Sequence, residues 1–253
     1  MSSSPTSSNT PSSWAEQVAV ITGGADGLGF ALASRLSTLG ATVALFDRDA
    51  EKLQTARENL RRALVFNADV TSPESVQNAV EELIVQTGRV DILVNCAGIA
   101  APVAEFEPTT FNRILDVNLT GQLRTAVAFK PLLAARGGSI VNVVSMYATF
   151  GSPRVPAYGA SKAGLAQLTR SLAVAWAADG IRVNAVAPGF IETEQTAARV
   201  NEPDHLRRVN ERTPLARWGV PADLAGPVLF LCSPLARFVT GAVLPVDGGY
   251  SAG

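Results

Sequence analysis

"VAVITGGADGLG", residues 18–29, sets a short apolar run directly before a cluster of glycines. Residues 18–21 contain no polar member and read as a strand buried on both faces. Thr22, Gly23, Gly27 and Gly29 then follow the spacing T-G-x-x-x-G-x-G, and a helix is expected from about Leu28. Glycines allow a tight turn and close backbone approach, and the positive end of the next helix faces whatever lies above the strand. A pyrophosphate suits such a turn. An ordinary strand-to-helix turn would carry the same glycines, and the spacing departs from the general dinucleotide fingerprint G-x-G-x-x-G, so the rest of the chain has to decide.

Outward from this stretch the alternation continues. Apolar, β-branched runs recur at 41–46, 63–66, 91–95, 139–145, 181–186 and 242–246, with segments between them long enough for one helix each. Continuous apolar strands joined by helical crossovers specify an α/β fold: one Rossmann-type, doubly wound, seven-stranded parallel sheet with helices on both faces. Residues 14–253 read as this single domain, with no repeat or linker. Residues 1–13, "MSSSPTSSNTPSS", hold too little apolar surface to offset the entropy of ordering and are expected to form a disordered tail.

Composition narrows the function. Hydrophobic residues at 47% against 17% charged suit a large buried core or buried subunit contacts, and a net charge of −1 gives no basic field for nucleic acid or an anionic membrane surface. Two cysteines make no disulfide framework, no apolar run reaches the length of a membrane span, and the N-terminus lacks a signal core, so a cytoplasmic protein is expected. The sole histidine, His205, supports neither a metal cluster nor a histidine triad; no metal is expected, and His205 and the Arg207/Arg208 pair read as a solvated face.

In a doubly wound sheet, ligands bind beyond the carboxyl ends of the strands. Asp47 ends the second run, close to the spacing expected of a carboxylate that accepts from a ribose 2′-hydroxyl and repels a 2′-phosphate. Asp26 in the glycine turn adds negative charge, whereas Arg48 could meet a 2′-phosphate; two carboxylates against one arginine favour NAD over NADP. Asp69 and Val70 follow the third run, and Asn95, Cys96, Ala97 and Gly98 the fourth, where an adenine and its ribose need room. Ser145 closes the fifth. "YGASK" follows, residues 158–162, placing Tyr158 and Lys162 on one helix face. With 3 Tyr and 3 Lys in 253 residues, chance supplies such a pair only about 0.04 times.

"TGGADGLG", "NCAG", Asn118 in "DVNLTG", Ser145, "YGASK" and "PGFIET" together resemble the short-chain dehydrogenase/reductase family from about Val18 to the end of the chain. The glycine spacing is the one that family uses; Cys96 stands where it most often has a second Asn, and a packing change is expected there. The resemblance implies that Tyr158 exchanges the substrate hydroxyl proton, that Ser145 hydrogen-bonds the substrate oxygen, and that Lys162 binds the nicotinamide ribose. Asn118 would hold a water linking Lys162 to solvent. A nearby ammonium favours a phenolate, so Lys162 is expected to pull the tyrosine towards ionisation, with the positive nicotinamide ring of the oxidised cofactor adding to the effect. Pro188, Gly189, Ile191 and Thr193 would grip the nicotinamide end, with a lid at about 190–215. Tyr147, Val155 and Phe190 line a pocket or pack in the core, as does Phe150. A secondary alcohol, polyol or sugar, or the matching ketone, is the expected substrate, and the "PVLFLC" and "AVLPV" segments imply a homotetramer. The alternatives are an NADPH ketoreductase of the 3-oxoacyl type and a non-catalytic dinucleotide sensor.

Overall fold

Val18–Thr22 forms β1 and Gly27–Thr38 forms α1. Along β1, Ala19 and Ile21 face one core while Val18 and Val20 face the other, which is why the strand carries no polar residue before its last position. The computed structural model describes residues 14–253, without the side chains of 195, 198 and 199; the stretch 1–13, expected to be a disordered tail, lies outside the described residues.

The remaining strands are β2 (Thr42–Asp47), β3 (Leu64–Asn67), β4 (Ile92–Asn95), β5 (Ser139–Val143), β6 (Arg182–Pro188) and β7 (Val243–Val246). They form one seven-stranded sheet in the order β3-β2-β1-β4-β5-β6-β7, with every pairing parallel. The run at 139–145 stops as a strand at Val143, because Ser145 caps a 3-10 turn over Met146–Ala148 by accepting from the Tyr147 N–H.

The helices are α2 (Ala50–Asn59), α3 (Pro73–Thr87), α4 (Pro108–Leu115), α5 (Gly121–Ala134), α6 (Pro156–Trp176), α7 (Ala197–Val200), α8 (Pro203–Arg212) and α9 (Pro221–Cys232). Local sequence sets several ends. Ser72 accepts from the Ser75 N–H, Pro73 occupies the first turn, and Gly88 closes α3 at φ 66°, the three signals expected of a capped helix. Leu32 and Leu36 of α1 pack with Leu224 and Leu231 of α9 on one face of the sheet. Leu83 of α3, Phe129 and Leu133 of α5 and Leu172 of α6 cover the other.

Two features position the site. The strand order reverses between β1 and β4, whose ends lie level through the Thr22–Asn95 pairing, so the loops after them diverge and leave a crevice. Between α4 and α5 the chain makes a π turn over Asp116–Thr120, which carries Asn118 inwards to complete burial. Among the described residues no helix is long and apolar enough to cross a membrane.

Candidate active site

A cavity of ≈ 710 Å³ runs along the carboxyl ends of the strands, from β3 to β6. Gly23, Asp26, Gly27, Leu28, Gly29, Asp47, Arg48, Asp69 and Val70 line one end. Ala97, Gly98, Ser145, Tyr147, Val155, Tyr158 and Lys162 line the other, with Pro188, Gly189, Phe190, Ile191 and Thr193. Asn95 does not reach it. Its side chain is spent inside the sheet, donating to Asn142 Oδ1 at 3.0 Å and accepting from Thr125 Oγ1 at 2.8 Å, in a buried chain that continues to Thr169. A residue at a strand end points to one face or the other, and the sequence alone did not say which.

The glycine turn fits a pyrophosphate. Gly27 adopts φ +52° and a Cβ there would meet nothing within 4 Å, so the backbone is bare towards the cavity; a Cβ on Gly29 would collide with the Gly23 carbonyl oxygen. Beside it, Asp47 is half-buried, with Oδ1 accepting from Asp49 N at 3.1 Å and Oδ2 from Ala25 N at 3.4 Å. Burial pushes the Asp69 carboxyl up, but the N–H and O–H of Thr71, with the Arg48 and Arg124 charges, bring it below its ordinary value.

Lys52 is a residue the sequence reading passed over. It lines the cavity, pairs with Asp26 and lies 3.9 Å from Glu194. The hydrogen bond and charge of Asp26 raise its pKa, so Asp26 is not the unopposed negative charge expected. With only three lysines in the chain, its scarcity was the available signal.

At the opposite end Tyr158 and Ser145 line the cavity together. The Lys162 ammonium lies 5.6 Å from the Tyr158 ring centroid and donates to the Val143 carbonyl at 2.7 Å. Burial adds what the sequence does not show. Burial pushes Tyr158 up to about 12, against the lowering effect of Ser145, and burial pulls Lys162 down to about 8. In the protein alone desolvation therefore dominates at the phenol. Burial likewise raises Cys96 to about 11, which leaves it an uncharged thiol at neutral pH.

Asn118 is off the cavity lining but braces it: its amide accepts from Ile99 N at 2.8 Å and donates to Ile99 O at 2.9 Å and Ser161 Oγ at 3.1 Å. Glu105 was not foreseen. Fully buried in the loop after β4, its carboxylate accepts from Ala101 N and Tyr158 N, each at 2.9 Å. An acid at the first turn of α6 complements the helix dipole and fixes the backbone of Tyr158; nothing in "APVAEFEP" marks it out.

Tyr147 stands edge-on to Tyr158 and Phe190, each at 6.4 Å between centroids. His205 is not on a solvated face: it is half-buried against Phe190 and Trp218 at 5.6 and 5.8 Å. Among the described residues no cluster of His, Cys, Asp and Glu could hold a metal ion.

The arrangement can donate or accept a proton at the Tyr158 hydroxyl beside a bound oxygen, next to a cleft shaped for a dinucleotide. A family profile described as Enoyl-(Acyl carrier protein) reductase matches residues 23–251. The chain is 41% identical to cis-4-hydroxycyclohexanecarboxylate dehydrogenase of Sinomonas cyclohexanicum over 94% of its length and 98% of the relative's. It is 40% identical to galactitol 2-dehydrogenase (L-tagatose-forming) of Cereibacter sphaeroides, over 92% and 94%. A gluconate 5-dehydrogenase structure from Burkholderia cenocepacia, in complex with NADP and tartrate, superposes with a TM-score of 0.88 at 36% identity, covering 94% of this chain and 96% of that one.

Proposed function

The chain belongs to the short-chain dehydrogenase/reductase family and is an oxidoreductase acting on alcohol or polyol CH–OH groups; we propose that it works reversibly with NAD on a secondary alcohol and the matching ketone. The observation that carries this reading is that Tyr158, Ser145 and Lys162 line one cavity with the glycine turn, the Lys162 ammonium 5.6 Å from the Tyr158 ring centroid.

The glycine turn would hold the pyrophosphate of the dinucleotide, Asp47 the adenosine ribose, and Pro188, Gly189, Ile191 and Thr193 the nicotinamide end. Bound there, the nicotinamide supplies the hydride acceptor for oxidation or the donor for reduction. In reduction, Tyr158 gives its proton to the carbonyl oxygen while Ser145 hydrogen-bonds that oxygen and stabilises the charge developing on it. With its pKa at about 12, Tyr158 carries the proton this step needs at neutral pH. In oxidation Tyr158 takes the hydroxyl proton and must first have lost its own, so oxidation gains rate as pH rises. While it keeps its proton, below about pH 8, Lys162 stabilises that anion, and it anchors to the end of β5 through Val143. Asn118 and Glu105 position the reacting groups, Asn118 through the Ile99 backbone and Ser161, and Glu105 through the Tyr158 backbone.

NAD is favoured because carboxylates at Asp26, Asp47, Asp49 and Asp69 outnumber the cations Arg48 and Lys52 at the adenosine end. Those two cations are the observation that favours NADP, the dinucleotide in the Burkholderia cenocepacia structure. The exposed Phe230, Leu235 and Phe238, on and after α9, support a homotetramer as the working assembly. Purified protein, given NAD or NADP with polyols, cyclic alcohols and hydroxy acids and followed at the reduced-cofactor absorbance, tests the reading. Tight dinucleotide binding with no turnover of any alcohol would point instead to a sensor.

A further inference from the structure

Residues 98–104, in the loop after β4, include no polar side chain. Two sets of hydrogen bonds tie this loop to the start of α6, which bears Tyr158. Glu105 accepts from Ala101 N and Tyr158 N, each at 2.9 Å, and Val103 N donates to the Arg154 carbonyl at 2.9 Å. Val103 meets that partner at φ 74°, a left-handed conformation that a β-branched residue takes only where its surroundings impose it. The loop is therefore held beside Tyr158, and Ile99, Ala100 and Pro102 line the cavity there. Tyr147, with its ring centroid 6.4 Å from those of Tyr158 and Phe190, continues the wall together with Met146 and Val155.

The other charges that line the cavity gather at its far end. Lys52 pairs with Asp26 and lies 3.9 Å from Glu194, Asp47 accepts from Asp49 N, and the Arg48 charge acts on Asp69. That leaves Lys162, whose ammonium donates to the Val143 carbonyl, as the one charged side chain lining the Tyr158 end among the described residues. A carboxylate or a second hydroxyl on a substrate would give up its water against this wall and find no charged partner in it, a desolvation cost without return. Hydrocarbon placed there leaves water at a gain.

We propose that the preferred substrate is an uncharged secondary alcohol, with its ketone, in which the groups flanking the CH–OH carbon are hydrocarbon. The wall formed by Ile99, Pro102, Met146, Tyr147, Val155 and Phe190 receives the hydrocarbon, while Tyr158 and Ser145 handle the hydroxyl. This rests on the dehydrogenase reading above and narrows it, because polyols and hydroxy acids are selected against.

The test measures kcat/KM for oxidation by the native protein, with whichever of NAD and NADP it binds. Two matched pairs isolate polarity. In the first, 3-hydroxybutyrate ends in a carboxylate where 4-methyl-2-pentanol has an isopropyl group; in the second, galactitol carries a hydroxyl on every carbon of a chain as long as that of 2-hexanol. The hydrocarbon member of each pair should be favoured by about a hundredfold or more. Along 2-butanol, 2-hexanol and 2-octanol, kcat/KM should rise by about two- to fourfold per added CH2. Pro102 lines the cavity from its exposed rim, so Pro102→Arg should narrow the first gap by about tenfold, whereas Pro102→Leu should leave it intact. The acid or the hexitol favoured over its hydrocarbon counterpart, no rise along the alcohol series, or equal gaps in the native protein and Pro102→Arg overturns the proposal while leaving the dehydrogenase reading standing. Binding of dinucleotide with no turnover of any alcohol overturns both.

Discussion

Replacing Lys162 with Met removes a buried charge and with it a specific pH dependence of stability. Lys162 is 3% exposed, and burial moves it from 10.5 to about 8. The unfolded chain keeps the ordinary value, so between about pH 8 and 10.5 it binds a proton the folded protein has lost, and this residue makes stability rise with pH across that window. At pH 7 holding the ammonium inside costs about 3 kcal/mol, and raising the pH to about 9.5 relieves about 2 kcal/mol of it. The Met variant leaves the Val143 carbonyl without its donor, at about 1–3 kcal/mol, so the absolute stabilities of the two proteins at pH 7 should be close. The slope separates them. Urea unfolding without dinucleotide at both pH values should show the native protein gaining about 2 kcal/mol relative to Lys162→Met, while the variant has lost turnover. Parallel stability–pH curves would refute the idea that the site holds a costly cation for its chemistry.

Asp47→Asn keeps the shape of the side chain that accepts from Ala25 and Asp49 but removes its charge; the preference for NAD over NADP, taken as a ratio of kcat/KM, should fall by about ten- to a hundredfold, and an unchanged ratio would show that this carboxylate does not read the ribose. Glu105→Gln leaves one of two buried N–H groups facing an amide NH2, so stability should drop by about 1–3 kcal/mol and kcat should fall more than KM rises as Tyr158 loses its backbone anchor. Unfolding and steady-state kinetics together check this, and unaltered values in both would reduce Glu105 to a bystander. The pH profile of oxidation should climb through the alkaline range while that of reduction does not, because only oxidation waits for Tyr158 to ionise; the same profile in both directions would contradict the assignment of the proton.

The sheet was readable because parallel strands covered on both faces must be largely apolar, and β1 and β2 say so in consecutive letters. Strand ends were harder. Ser145 belongs to the same apolar run as β5 yet lies beyond the strand, its hydroxyl capping the next turn by accepting from the Tyr147 N–H. Glycine spacing and the Tyr158/Lys162 pair placed the cleft, as both depend on short-range geometry that sequence distance reports directly. Side-chain direction at a strand end depends on which neighbours lie on each face, and so Asn95 was drawn towards the cleft when Asn142 and Thr125 hold it inside the sheet. Glu105 and Lys52 act across 53 and 26 residues, beyond any local pattern. Tyr158 shows a related limit of sequence distance: an ammonium one turn away is visible in the sequence, whereas the burial that raises the phenol exists only in the folded protein.

The central claim is that Tyr158 exchanges the substrate proton. Rapid mixing of Tyr158→Phe, preloaded with oxidised dinucleotide, against an alcohol the native protein oxidises should show dinucleotide affinity close to native and formation of reduced cofactor slowed by about a thousandfold or more. Reduced cofactor appearing at a near-native rate would contradict the account and assign the proton to another group.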